Sequence, residues 1–197
     1  VLAAGTRMTP QAMGLAASVG AARLTVWRRP RVALFSTGDE LVMPGEPLKP
    51  GAIYNSNRFT LRGLLQAAGC EVRDLGIVPD DREATRAALR AAAAEADLIL
   101  SSGGVSVGEE DHIKPSVQAE GWLEAVQVAM KPGKPLAFGA VRRPGAAADA
   151  APSEVEAMFM GLPGNPVSSF VTFLLTVAPE LRALQGCPAA FPTPVTV

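Results

Sequence analysis

The sequence predicts an α/β protein: an open, mostly parallel sheet with helices on both faces, flanked by truncated ends of neighbouring domains. Three observations predict it. Apolar runs of strand length recur at 31–36, 71–78, 97–101, 123–130, 136–141 and 156–162. Stretches of helical composition, opened by Ser, Asn or Asp and stopped by Gly, lie between most of them. The chemically capable side chains fall just after the strands, not within them. That alternation is the pattern of a parallel sheet covered on both sides.

The elements follow in order. Thr9-Pro10 is an N-cap with proline at the first helical position, so 11–19 is a short helix that Gly20 ends. Leu24 to Trp27 reads as a short strand-like piece. Arg31 to Ser36 is the first regular strand. Residues 44–51 hold three prolines and two glycines and form a loop. Ser56 or Asn57 caps a helix that runs to about Ala68, with Gly69 as its stop. Glu71 to Val78 is the second strand, and Arg82 to Ala96 an alanine-rich helix. Asp97 to Ser101 is the third strand. It leads into Ser-Ser-Gly-Gly-Val-Ser-Val-Gly at 101–108, and Glu109, Glu110 and Asp111 look like the first turn of a helix. Ile113 to Ala119 is a helix, Leu123 to Met130 the fourth strand and Leu136 to Val141 the fifth. Residues 142–153 are low-complexity and read as a surface loop. Glu156 to Leu162 is another strand. Val167 to Leu184 is an apolar helix interrupted by Pro179. Three regions follow: 1–29 as the end of a preceding N-terminal region, 30–184 as the α/β domain, and 185–197 as the start of a C-terminal β domain. A start on Val1 and an end on a nascent strand read as a piece of a longer protein.

The charge balance, 18 basic against 19 acidic side chains in 197 residues, gives no global signal for nucleic acid or an anionic membrane. Anion binding, where it occurs, is local. Fourteen of the basic residues are Arg and four are Lys, which makes Lys131 and Lys134 informative. Cys70 and Cys187 stand apart, fit neither a disulfide framework nor a zinc site, and suit a reducing, cytoplasmic compartment. No signal-peptide pattern is present, and the apolar run 170–178 is too short to span a bilayer.

The polar clusters coincide with the ends of the strands. Asp39 and Glu40 follow the first, Asp80 and Asp81 the second, Ser102 to Asp111 the third, Lys131 and Lys134 the fourth, and Pro163 to Pro166 the last. In an open parallel sheet ligands bind beyond the carboxyl ends of the strands. Glycines in the 101–108 loop let the backbone approach a ligand, and a helix start points N–H groups at an anion. Glu40, Asp80 and Asp111 are oxygen donors of the kind that hold Mg²⁺; taken singly, each also suits helix capping or the helix dipole. Lys131 and Lys134 flank Pro132-Gly133 and suit a phosphate or oxyanion, or else a solvated turn. His112 is the only histidine and reads as helix surface. Ser101, Ser102 and Ser106 lack an adjacent base and read as hydrogen-bonding groups. Asn55 and Asn57 contact ligand or cap a helix. Trp27 and Trp122 read as packing residues.

Five ordered motifs carry a resemblance: Ser-Thr-Gly-Asp-Glu-Leu (36–41), Tyr-Asn-Ser-Asn (54–57), the 101–108 loop, Met-Lys-Pro-Gly-Lys-Pro (130–135) and Gly-Leu-Pro-Gly-Asn-Pro-Val-Ser (161–168). Together they resemble the MoeA-type molybdopterin molybdenumtransferases and the gephyrin E-domains, over essentially the whole chain. The resemblance implies a MogA/MoeA-like molybdopterin-binding fold. It implies insertion of molybdate into adenylylated molybdopterin with release of AMP, as a step of molybdenum cofactor biosynthesis, with Mg²⁺ as cofactor. By motif match, Glu40, Asp80, Asp111 and Lys131 are the catalytic residues, and the three carboxylates are also the metal ligands. Gly38, Asp39, Asn55, Ser56, Ser102, Gly103, Gly104, Ser106 and Gly108 hold the small-molecule substrate. So do Pro132, Gly133, Lys134, Pro163, Gly164, Asn165, Pro166 and Ser168. A homodimer is implied for the full-length form, with molybdopterin adenylyltransferase and molybdoenzymes as partners and neither nucleic acid nor membrane. One departure stands out: many members carry Lys four positions before Lys131, where this chain has Gln127. Family members have four domains and complete their site with the partner subunit, so the 197-residue chain alone is expected to show little transferase activity.

The alternatives differ in chemistry. A molybdopterin adenylyltransferase shares the α/β domain and consumes MgATP, but the Lys-Pro-Gly-Lys-Pro turn and Gly-Asp-Glu-Leu speak against it. CinA-like nucleotide chemistry shares Gly-Asp-Glu-Leu and fits the later motifs poorly. A gephyrin-like scaffold needs a peptide groove that nothing in the sequence encodes.

Overall fold

The computed structural model describes residues 2–104, 112–127, 135–147 and 151–187. In chain order the elements are α1 (Pro10–Ser18), β1 (Arg31–Thr37), β2 (Leu41–Val42), β3 (Ile53–Tyr54), α2 (Ser56–Ala67), β4 (Glu71–Val78), α3 (Arg82–Ala93) and β5 (Leu98–Ser102). Then come α4 (Ile113–Glu120), β6 (Gly121–Gln127), β7 (Pro135–Arg142), α5 (Pro152–Val155), β8 (Glu156–Leu162), α6 (Pro166–Thr172), a π-helical turn (Phe173–Val177) and α7 (Ala178–Leu184). Six strands form one sheet in the order β4-β1-β5-β8-β7-β6. The first four are mutually parallel, β7 is antiparallel to β8, and β6 is antiparallel to β7.

β7 is the antiparallel member of this mostly parallel sheet, and connection length explains it. Only residues 128–134 separate β6 from β7. A parallel return needs a crossover of about a dozen residues, whereas an antiparallel neighbour needs only a hairpin connection.

Strand periodicity divides the core into two layers. Ala33, Phe35, Ile99 and Phe159 point to one face, where Leu89, Ala92 and Ala93 of α3 and Ile113 and Val117 of α4 cover them. Val32, Leu34, Leu98, Leu100 and Leu162 point to the other, against Leu61 and Leu65 of α2 and Phe173, Val177 and Leu181. The sheet is therefore covered on both faces, and its central strands β1 and β5 read as continuous apolar runs because neither side meets water.

The apolar run 166–184 is continuous, although Pro179 predicts an interruption. Proline lacks an N–H, and its ring collides with the carbonyl four residues back. The π turn just before it absorbs the conflict: Ala178 N–H bonds Phe173 O, five residues back. This composite helix is long and apolar enough by length and composition to cross a membrane. Its Phe173, Val177 and Leu181 lie buried in the core layer on one face of the sheet, so one face of the helix packs there.

Several boundaries move. Leu24 to Trp27 is not a strand, and Trp27 is 70% exposed, so it is not a core residue. Its indole edge lies over Gly186. Trp122 packs edge-on to Phe138 with ring centroids 6.3 Å apart. α3 ends at Ala93 rather than Ala96. The cap of α2 is Asn55, one residue before the expected position, because its side chain accepts from Arg58 N–H. A short parallel pair, β2–β3, brackets the proline-rich loop at 44–51. Of the C-terminal region only 185–187 falls among the described residues.

One ion-pair hub sits at the amino edge of the sheet. Asp97 takes Arg28 through both carboxylate oxygens at 2.6 Å and the Arg31 N–H at 2.8 Å. Arg31 and Arg143 guanidinium groups stand at 3.6 and 3.9 Å. Burial alone raises the Asp97 carboxyl; the hydrogen bonds of Arg28 and Arg31 and their charges outweigh it and hold it below the ordinary range.

Candidate functional site

Strand order places the site. The chain leaves β1 for β4 on one side, then returns past β1 to β5 and β8 on the other. Between β1 and β5 the order reverses, and in open α/β sheets that switch point opens the crevice beyond the carboxyl ends. The loops after β1 and β5 flank it directly, with Thr37-Gly38-Asp39-Glu40 on one side and Ser102-Gly103-Gly104 on the other. Asp80 and Asp81 follow β4, and Pro163 to Asn165 follow β8. Because β6 runs with β8 and β7 against it, β6 ends and β7 begins on this same edge, where Gln127 pairs Pro135. The described residues of these clusters thus attach to one edge.

Two glycines at the switch point are there for close approach. Gly103 has φ +90°, and a Cβ on it would lie 2.7 Å from Thr37 O. Gly104 has φ +66°, and its Cβ would meet Ile113 Cγ1 at 2.5 Å and Thr37 Oγ1 at 2.7 Å. The loop after β5 therefore lies hard against the end of β1, in a left-handed conformation that favours glycine. The Gly103 N–H donates to Leu162 O at 3.1 Å, which ties the same loop to the end of β8.

The other expected ligand-holding residues fall around these turns. Glu40 is exposed and folds its carboxylate back over Gly38. Asp39 and Glu40 open onto a cleft of about 610 Å³ that Glu46 and Lys49 also line. Leu41 and Val42 of β2 wall that cleft, and Ile53 N–H of β3 bonds Glu40 O at 2.8 Å. Asn55 is buried at the foot of α2; its Oδ1 accepts from Arg58 N–H at 3.2 Å. Its Nδ2 has no partner among the described residues. Ser56 is exposed at the first position of α2. Pro163 is buried and Gly164 exposed. Asn165 caps α6, accepting from the N–H and Oγ of Ser168, both at 3.1 Å, with Pro166 at the first helical position. Asp80 is half-buried just past β4.

Among the described residues no group of three or more Asp, Glu, His or Cys side chains converges as a metal cluster. Asp111, Lys131, Ser106, Gly108, Pro132, Gly133 and Lys134 lie outside the described residues. A smaller depression of about 210 Å³, lined by Arg31, Glu71, Arg73 and Glu95, lies at the opposite, amino edge of the sheet, away from these loops.

Asn57, expected to contact ligand or cap a helix, does not cap α2, whose cap is Asn55. It is buried, and its Nδ2 donates to Ser102 Oγ and to Gly164 O, both at 2.8 Å. A signal was present. Asn57, Leu61 and Leu65 recur every four residues and share the buried face of α2. An amide on an apolar stripe must find partners in the core.

Residues 33–183 match the family described as probable molybdopterin binding domain. A molybdopterin molybdenumtransferase of Haemophilus influenzae is 45% identical over 186 residues, which cover 94% of this chain and 43% of that protein. The chain thus spans less than half the length of that relative. A molybdopterin biosynthesis MoeA protein of Pyrococcus horikosii has a similar structure, with a TM-score of 0.74 and 31% identity over 92% of this chain and 42% of that one. CinA of Thermoplasma acidophilum, at 16% identity, a TM-score of 0.54 and cover of 74% of this chain and 95% of that one, shares the fold alone. With the switch-point crevice, the two glycine turns and a matched span from β1 into α7, the chain belongs to the molybdopterin-binding domain family of molybdenum cofactor biosynthesis.

Proposed function

We propose that this chain is the molybdopterin-binding part of a molybdopterin molybdenumtransferase. It holds adenylylated molybdopterin along the carboxyl edge while molybdate is inserted and AMP is released. The observation that supports the reading is the close packing at the switch point: Gly103 and Gly104 lie hard against Thr37, where a Cβ would clash, which keeps the crevice beyond β1 and β5 free of side chains at that point. The choice of reaction rests on the 45% identity to a relative of that name.

The residues divide the work by chemistry. The turns Ser102 to Gly104 and Pro163 to Asn165 seat the phosphate-bearing ligand. Lys131 and Lys134, on the connection between β6 and β7, supply positive charge to phosphate and molybdate; Gln127 adds only a neutral hydrogen-bonding amide. Glu40 and Asp80 are hard oxygen donors on adjacent strand ends, since Thr37 pairs Val78 in the β1–β4 register. That donor set suits Mg²⁺, with Asp111 as the third carboxylate. When bound, the cation neutralises charge at the pyrophosphate link. Homodimerisation and a cytoplasmic location belong to the same reading. So does contact with an adenylyltransferase that supplies the substrate and molybdoenzymes that take the product.

The test is anaerobic titration of the chain with adenylylated molybdopterin, followed by molybdate and magnesium with AMP measured. Saturable binding that Lys131→Ala weakens is the expected result. Thr60→Ala, on the exposed side of α2, is the surface control and should leave binding intact. Binding of MgATP with AMP transfer to molybdopterin points instead to the adenylyltransferase chemistry. No binding of any pterin species refutes the proposal.

A further inference from the structure

The two glycine turns are joined by one side chain. Asn57, 8% exposed, donates one Nδ2 hydrogen to Ser102 Oγ and the other to Gly164 O, both at 2.8 Å. A peptide carbonyl only accepts, so the amide nitrogen must face Gly164 O, and the orientation of the side chain follows from chemistry. Ser102 closes β5 and opens the Gly103-Gly104 turn. Gly164 lies two residues beyond the end of β8. The turns already touch: a Cβ on Gly164 would stand 3.9 Å from Gly103 Cα, and Gly103 N–H bonds Leu162 O. The backbone pairing of Ser102 with Leu162 ends there, and Asn57, reaching down from α2, bridges the two turns beyond it through its side chain.

Core filling does not account for an amide here. The neighbours on its stripe are Leu61 and Leu65, and a buried amide is costly unless its hydrogens are paired. The two acceptors Asn57 reaches belong to different loops, 45 and 107 residues away in the chain.

We propose that Asn57 is a positioning residue. It fixes the distance between the Ser102-Gly103-Gly104 and Pro163-Gly164-Asn165 turns, so that the anionic end of the ligand meets a cradle already in place. Preorganisation of this kind lowers the ordering cost of binding. The ligand role rests on the function proposed above; the clamp itself does not need a ligand to be detected.

Asn57→Leu removes both donors at similar volume. The readouts are amide hydrogen exchange by NMR at Gly103, Gly104, Gly164 and Asn165, and affinity for adenylylated molybdopterin. Exchange at these four amides and the dissociation constant are each expected to rise about tenfold, the scale of one lost buried hydrogen bond, while amides within β1 and β5 keep their protection. Ser102→Ala cuts one arm only. It should loosen Gly103 and Gly104 and leave Gly164 and Asn165 as they were, and it decides the matter should Asn57→Leu not fold. A merely structural role predicts exchange rising evenly across the sheet, with affinity tracking the folded fraction; that result overturns the proposal. Unchanged affinity in a folded Asn57→Leu chain overturns the clamp and leaves the functional reading standing. Failure of the parent chain to bind overturns the functional reading and, with it, the ligand role of the clamp.

Discussion

Gly103→Ala tests the close packing at the switch point most directly. The native φ of +90° lies in the left-handed region, where an L side chain costs about 1–2 kcal/mol. The new Cβ would stand 2.7 Å from Thr37 O, a backbone atom at the end of β1. That strand is hydrogen-bonded on both sides, to β4 and β5, so it cannot retreat cheaply. Overpacking of this sort adds about 1–3 kcal/mol. Against this, alanine narrows the unfolded ensemble and returns about 0.4–1 kcal/mol. The balance is a loss of about 1–5 kcal/mol. Gly45→Ala is the matched control: its φ is +97°, yet nothing lies within 4 Å of a Cβ there, so only the conformational cost remains. Urea unfolding followed by circular dichroism measures both. With a slope of about 2 kcal/mol/M, Gly103→Ala should move the midpoint about 1 M further than Gly45→Ala. Equal midpoints for the two variants would refute the claim that contact with Thr37 dictates glycine.

Three further outcomes follow from other parts of the molecule. Asp97→Asn should cost about 2 kcal/mol at neutral pH, the scale of hydrogen bonds to a charged group. The folded carboxyl titrates below its unfolded value, so its contribution is present above about pH 4 and fades as pH falls through the lower, folded value; the gap between parent and variant should close there, and a gap constant down to that range contradicts the ion-pair account. Burial pushes the Cys70 thiol up to about 11, whereas Cys187 is only half-buried. A thiol reagent at mildly alkaline pH should therefore label one cysteine quickly and the second only after unfolding; two equally fast reactions would count against the buried assignment. Asn165→Ala removes the cap of α6 and should lower stability by about 1 kcal/mol, with weaker ligand binding, and a neutral effect on both would mean the cap is dispensable.

Much of the domain was legible without coordinates. The apolar runs at 71–78 and 156–162 are strands with those bounds. Thr9-Pro10 starts α1, and Asp81 caps α3. These are short-range matters: alternation of burial, a side-chain oxygen reaching a free N–H, a missing Cβ at a turn. The attachment of polar clusters to strand ends was equally readable, since a ligand-binding edge requires it. Leu24 to Trp27 misled because a short apolar run outside a sheet looks the same as one inside it. The π turn before Pro179 was hidden because proline marks a conflict without saying how the helix resolves it.

By itself the amino-acid sequence determined which residues become strands and helices of this α/β domain, and which loops carry Glu40, Asp80, Ser102 and Gly164. Those choices depend on neighbours a few positions apart. Tertiary structure alone decided that β1 lies between β4 and β5, which creates the switch point, and that β7 runs against β8. It alone brought Asn57 within 2.8 Å of both Ser102 and Gly164. Strand order and a clamp across 107 residues are set by which apolar faces bury one another, a long-range choice that local patterning does not encode.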